Sequence, residues 1–325
     1  MLFNSYNRVI IAAPSNTQTG GPECLHQLAA KLIENNIDAK MYYYGPKLSN
    51  PVHKAYEIYE IPWVTKIHDT SDTIFIVPEV VPKLLLPYSE VQKCIWWLSV
   101  DNYFRRMTRI KRNINSRILL WLNSQKYLFF RNKIFSEVVH LVQSEYAKSF
   151  LASKNINSTY LLEDYLHENF ISRQFDIVTK KNIVAYNPKK GAYFINKLIK
   201  AMPEIKFQPI INMSQDEVIE LLTSAKIYID FGNHPGKDRI PREAAHLKCC
   251  VISNKMGSAK NNKDLPIPQK YKFDQSNASI VKIQEKIIQI FDDYPNCLSD
   301  FNSYRLKIKH SEEIMNSQIK NIFIN

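Results

Sequence analysis

Short apolar runs alternate with segments of helical period along most of this chain, and that order leaves few folds open. Residues 8–13 are a buried-strand type of run. Cys24, Leu25, Leu28, Ala29, Leu32 and Ile33 then recur at helical spacing, and 37–44 reads as a strand again. Further strands are expected at 72–78, 92–100, 138–143 and 159–162. The runs at 72–78 and 92–100 are apolar on both sides, as central strands of a covered parallel sheet are. A second set follows: strands at 182–186, 206–211 and 225–231, and another from Cys250. Helices fall at 192–202 and 214–224, the latter opened by the capping box Ser214 to Glu217. The polar stretch 172–181 lies between the sets. Two α/β domains are therefore expected, 1–170 and 171–300, with a helical tail at 301–325.

One loop carries the densest chemistry. The strand 225–231 leads into His234-Pro235-Gly236-Lys237-Asp238-Arg239-Ile240-Pro241-Arg242, and a helix is expected from Glu243. Basic side chains between a strand end and a helix N-terminus suit a phosphate, because backbone N–H groups and the helix dipole add to their charge. The alternative for Lys237, Asp238, Arg239 and Glu243 is a solvated, self-paired face. Their joint position favours an anion site. The turn at 14–22 holds a second candidate, Gly20-Gly21, which either allows a tight turn or brings backbone N–H groups to a ligand. It lacks the G-x-G-x-x-G spacing of a dinucleotide site.

The net charge is +12, with 43 Lys and Arg against 31 Asp and Glu. That fits polyphosphate ligands, an anionic membrane surface or nucleic acid. The five cysteines show no metal-ligand spacing, so free thiols are expected. The N-terminus runs into its first strand without a visible leader, and no apolar run approaches the ~20 residues of a membrane span. A cytoplasmic protein, peripheral to a membrane, is expected. Residues 102–136 contain no acid, and Arg105, Arg106, Arg109, Lys111, Arg112, Arg117, Lys126, Arg131 and Lys133 are interleaved with aromatics. The readings are a packed helix pair with a basic face, an anionic membrane surface, or nucleic acid. Membrane contact ranks above nucleic acid, for which no role is expected.

Four stretches resemble the GT-B glycosyltransferases, in particular the glycosyltransferase-4-like (group 1) family. They are Thr19-Gly20-Gly21-Pro22-Glu23, Lys190-Gly191, Ile227-Tyr228-Ile229-Asp230, and Arg242-Glu243-Ala244-Ala245 followed by Cys250-Val251-Ile252. The resemblance implies two Rossmann-like domains facing across a cleft, with C-terminal helices crossing back to the N-terminal domain. It implies transfer of a sugar, a hexose or related, from a nucleotide sugar to a glycan or lipid-linked acceptor in polysaccharide or glycoconjugate synthesis. No cofactor beyond that co-substrate, and no metal, is implied. Lys190, Lys237 and Arg239 would neutralise the diphosphate, with Gly191, Asp238, Arg242, Gly20 and Gly21 also at the donor. Asn187 and His234 are further donor contacts. Glu243 would hold the ribose hydroxyls.

The family's first Glu of a spaced pair falls at Pro235, so its sugar contact is not carried over. His234-Pro235 also resembles a bacterial sialyltransferase motif, which keeps a CMP-sugar donor open. An inverting transfer needs a base, for which Asp101 at a strand end is the first choice, with His140 read as structural. Two alternatives stand beside transfer: a nucleotide-sugar epimerase of the same fold, and a non-catalytic membrane or nucleic-acid module using 102–136.

Overall fold

The computed structural model describes residues 3, 5–112, 137–172 and 180–325. They form two compact units. The first takes the described residues of Met1–Asp164 together with Glu313–Asn325, and the second those of Tyr165–Glu312.

The first unit is built on a seven-stranded sheet of β1 (Arg8–Pro14), β2 (Ala39–Tyr44), β3 (Trp63–Val64), β4 (Thr73–Pro78), β5 (Gln92–Trp97), β6 (Val139–Val142) and β7 (Thr159–Leu161). The order is β3-β2-β1-β4-β5-β6-β7, parallel throughout. Helices α1 (Gly20–Glu34), α2 (Val100–Arg112) and α3 (Glu145–Ala152) belong to this unit. Every residue of β4 is buried. Trp96 and Trp97 point to opposite faces of β5 and both are buried, which requires cover on both sides of the sheet. The Trp96 indole donates to Leu162 O at 3.2 Å and that of Trp97 to His140 Nδ1 at 3.0 Å, so His140 is a core residue.

The expected return of the C-terminal helices is met by Glu313–Asn325. Asn35 Nδ2 donates to Asn316 Oδ1 at 2.7 Å, the Tyr6 hydroxyl donates to Phe323 O at 2.6 Å, and Phe3 stacks on Phe323.

The second unit has a five-stranded parallel sheet of β8 (Lys181–Tyr186), β9 (Lys206–Pro209), β10 (Ala225–Asp230), β11 (Cys250–Asn254) and β12 (Lys272–Phe273), in the order β12-β11-β10-β8-β9. Its helices include α4 (Ala192–Ala201), α5 (Gln215–Ser224), α6 (Arg239–His246) and α7 (Asn277–Asp292). The five cysteines are free and buried. Among the described residues, no helix is long and apolar enough to cross a membrane.

Both sheets have a strand where the chain order reverses. β1 lies between β2 and β4, and β8 lies between β9 and β10. Open α/β sheets bind ligands outside the carboxyl ends of strands at such a switch point. The loops after β1 and β4, and those after β8 and β10, therefore occupy the two positions to inspect.

Candidate active site

The loop after β8 is a turn. Lys190 N–H donates to Asn187 O at 3.0 Å, and the Asn187 side chain accepts Lys189 N–H at 3.0 Å. Gly191 follows with φ +66° as the N-cap of α4. A side chain there would overlap the carbonyl of Phe231. Glycine thus lets the backbone of the β8 loop lie against the chain leaving β10.

The loop after β10 is held from several sides. Asp230, the last residue of β10, accepts Gly232 N–H at 2.9 Å and the Tyr228 hydroxyl at 3.1 Å. Asn254 Nδ2 donates to Gly232 O at 2.6 Å, and Ser258 Oγ donates to Gly236 O at 2.5 Å. His234 has φ +45°, and its carbonyl accepts Ser258 N–H at 3.0 Å. Gly257, at φ +51°, comes so close to the Asn233 and His234 carbonyls that a Cβ would not fit.

A charged network crosses between the two loops. Lys190 Nζ lies 2.8 Å from Asp238 Oδ2 and 4.0 Å from Asp230 Oδ2. His234 Nδ1 lies 2.9 Å from Asp238 Oδ2, and its Nε2 lies 3.6 Å from Asp230 Oδ1 and 3.2 Å from Ser253 Oγ. Burial disfavours the imidazolium, but the Asp238 hydrogen bond and the charges of Asp230 and Asp238 outweigh it and raise the His234 pKa. Burial likewise opposes the Asp238 carboxylate, and His234 and Lys190 outweigh it and lower the Asp238 pKa. Among the described residues, Asp230, His234 and Asp238 are the cluster whose spacing would suit a metal ion. The Lys190 ammonium already supplies a cation to both carboxylates there.

The helix after this loop begins earlier than its sequence suggests. α6 runs Arg239–His246 with Asp238 as N-cap, so Arg239 opens the helix and Arg242 and Glu243 lie within it. Pro241 reads as a loop residue, yet it stands at the third helical position, where its missing N–H leaves no bond unmade. Glu243 lies one turn beyond Arg239, with Oε1 4.0 Å from Arg239 Nε. Arg242 is buried and donates to Asp238 O at 3.3 Å and Lys237 O at 3.4 Å, so it ties the loop to the helix.

In the first unit, Gly20 and Gly21 are the first residues of α1, not a loop ahead of it. Neither has a positive φ, and a Cβ on Gly21 would meet nothing nearer than Leu98 Cδ1 at 3.8 Å. The turn does not need this pair. What the glycines provide is open backbone at a helix N-terminus, with Thr19 held by the Tyr56 hydroxyl, which accepts its N–H and donates to its carbonyl. Asp101 lies in the first turn of α2 and accepts the Tyr146 hydroxyl at 2.9 Å.

Glu79 was missed by the sequence reading. It directly follows β4 at the switch point, is buried, and accepts Leu98 N–H at 3.0 Å. Burial pushes its pKa up to about 8 against the pull of backbone N–H groups. An acid straight after a strand reading Ile-Phe-Ile-Val-Pro is the signal that could have found it. Asp230 stands one position earlier relative to its strand, as the last residue of β10.

By sequence, no family model and no curated protein matches this chain. By structure, sucrose-phosphate synthase of Thermosynechococcus elongatus superposes with a TM-score of 0.67 at 10% identity, over 98% of each chain. HepE of Anabaena, solved with UDP-glucose, gives 0.61 at 10% identity over 97% of this chain and 98% of its own. The chain has the GT-B fold. WaaG, a glycosyltransferase involved in lipopolysaccharide biosynthesis, shares it at a TM-score of 0.59 and 10% identity, over 98% of this chain and 100% of WaaG. In this GT-B chain the sites of Lys190, Gly191, His234 and Asp238 come together, and Arg239, Arg242 and Glu243 share one helix. Gly20, Gly21 and Asp101 lie in the other unit. The part of the basic aromatic segment at 113–136 lies outside the described residues. Its described part is helical, with Arg105, Arg106 and Arg109 exposed.

Proposed function

We propose that the protein is a nucleotide-sugar-dependent glycosyltransferase whose donor binds at the loops after β8 and β10. The observation that carries this is the convergence of Lys190-Gly191 and the 231–238 loop at the switch point of the second sheet, in a fold shared with HepE, which was solved holding UDP-glucose. A nucleotide's phosphates would be met by Lys190, Lys237 and Arg239 and by the N-terminal N–H groups of α6, and Glu243 would accept hydrogen bonds from ribose hydroxyls. These cations stabilise the leaving nucleotide as its charge develops, without calling on a metal. In this reading 171–300 is the donor domain and 1–170 the acceptor domain. The acceptor is a glycan or lipid-linked sugar, and the exposed arginines of α2 meet an anionic membrane surface.

For an inverting transfer, Asp101 is the proposed proton acceptor. Glu79 joins it as a second candidate, because a pKa near 8 keeps a carboxyl poised close to neutral pH.

The test is a thermal-shift screen against UDP, GDP, dTDP, CMP and their sugars. Stabilisation by one nucleotide class, lost in Arg239→Ala and Glu243→Ala variants that still fold, is the expected result. Normal sugar transfer by both variants would sink the assignment. Consumption of donor with no acceptor present would favour an epimerase instead.

A further inference from the structure

We infer that Asp238 occupies the place at Lys190 that a nucleotide's phosphate takes, so that donor binding exchanges one anion for another. This rests on the reading of the 231–238 loop as the nucleotide site.

An aspartate at an N-cap ordinarily accepts the N–H of the second or third helical residue. Here the third residue is Pro241, which has no N–H, and Asp238 makes no capping bond. Its carboxylate turns instead to Lys190 at 2.8 Å and His234 at 2.9 Å. So the usual reason for an acid at this position is absent, and a different one is visible in its contacts.

Lys190 and His234 face Asp230 and Asp238, and Ser253 from β11 also lies close to His234. Asp230 and His234 are sealed, with side chains 0% and 2% exposed, whereas that of Lys190 is 26% exposed. Lys190 and Asp238, the latter 15% exposed, are thus the members of the network that solvent and a solute can reach. A phosphate arriving there meets an ammonium already compensated, and two anions cannot share one cation without repulsion. Asp230 is fixed by the Gly232 N–H and the Tyr228 hydroxyl, whereas Asp238 sits at a loop-to-helix junction. Asp238 is the anion that gives way. The same carboxylate returns when the spent nucleotide leaves, which speeds release and sets affinity from within the loop.

The experiment measures binding of UDP and, as a base-independent probe, inorganic pyrophosphate by calorimetry. Asp238→Asn and Asp238→Ala should each bind UDP more tightly, on the order of tenfold, and Asp238→Glu should match the wild type. The sign is diagnostic, because damage to the loop would weaken binding and cannot tighten it. In a Lys190→Met background the gain from Asp238→Asn should vanish. Unchanged or weaker UDP binding by both neutral variants, beside a wild type that binds, overturns the exchange and leaves the site reading intact. A wild type that binds neither UDP nor pyrophosphate overturns the site reading and the exchange together.

Discussion

Lys190 and Asp238 close an ion pair of 2.8 Å between the loop that follows β8 and the loop that follows β10. Those strands are neighbours in the sheet, so the pair spans the switch point where the proposed donor site lies. Lys190→Met should weaken nucleotide binding tenfold or more, since a charge-assisted contact to phosphate is lost. It should also lower stability by roughly 1.5–3 kcal/mol, a range for hydrogen bonds to charged groups. Calorimetry with UDP and a urea melt read the two effects separately.

The glycines make a contrast that a melting curve resolves. Gly191→Ala places a Cβ against the Phe231 carbonyl at a φ of +66°, so both space and backbone oppose it. A loss of about 1–3 kcal/mol is expected, with the β8 loop pushed from its place. Gly21→Ala meets only Leu98 Cδ1 at 3.8 Å, within a helix. It should leave the melting temperature unchanged or slightly raised. Equal destabilisation by both would contradict the geometry.

Glu79 should write itself into the pH dependence of stability. Its folded pKa of about 8 lies above its ordinary 4.5 because burial penalises the carboxylate. Between those values the folded state holds a proton that the unfolded state has released. The stabilising contribution is therefore complete below about pH 4.5 and is lost as pH rises through about 8. Glu79→Gln should flatten that part of the melting-temperature profile between pH 5 and 8. If Glu79 also accepts the acceptor's proton, the same variant loses turnover while retaining UDP affinity.

The central strands were legible because a buried parallel strand is written as a run of apolar residues, as at 73–78 and 92–97, although the expected strand at 92–100 stops at Trp97 and Val100 already opens α2. Trp63–Val64 and Lys272–Phe273 were not legible, since two residues carry no period and only a neighbouring strand makes them strands. The 234–243 stretch reads as a candidate anion site from residue type and position, whereas Lys190-Gly191 reads as a turn and becomes a candidate only through the family resemblance. The pairing of Asp238 with both Lys190 and His234 was not legible, because it depends on two loops that meet only through the sheet. Pro241 falls in the expected loop ahead of Glu243, yet it stands in the first turn of α6, where it breaks nothing.

Lys180 is a further case in which sequence showed only a polar boundary. Its buried ammonium donates to Leu222 O at 2.7 Å, Ala225 O at 2.8 Å and Leu247 O at 2.6 Å. These carbonyls lie within or just after α5 and just after α6, so one side chain fastens the base of the helix that carries Arg239 and Glu243. Lys180→Met keeps the packing stem but removes the donor from all three. Leu222 O and Ala225 O keep the Cys249 thiol beside them at 3.1 and 3.2 Å, with one proton to give, so a loss of about 1–3 kcal/mol is expected. The urea midpoint should fall accordingly. UDP affinity of the folded fraction, measured well below the melting temperature, should change little, because Lys180 lies outside the charged network of Lys190, His234 and Asp238.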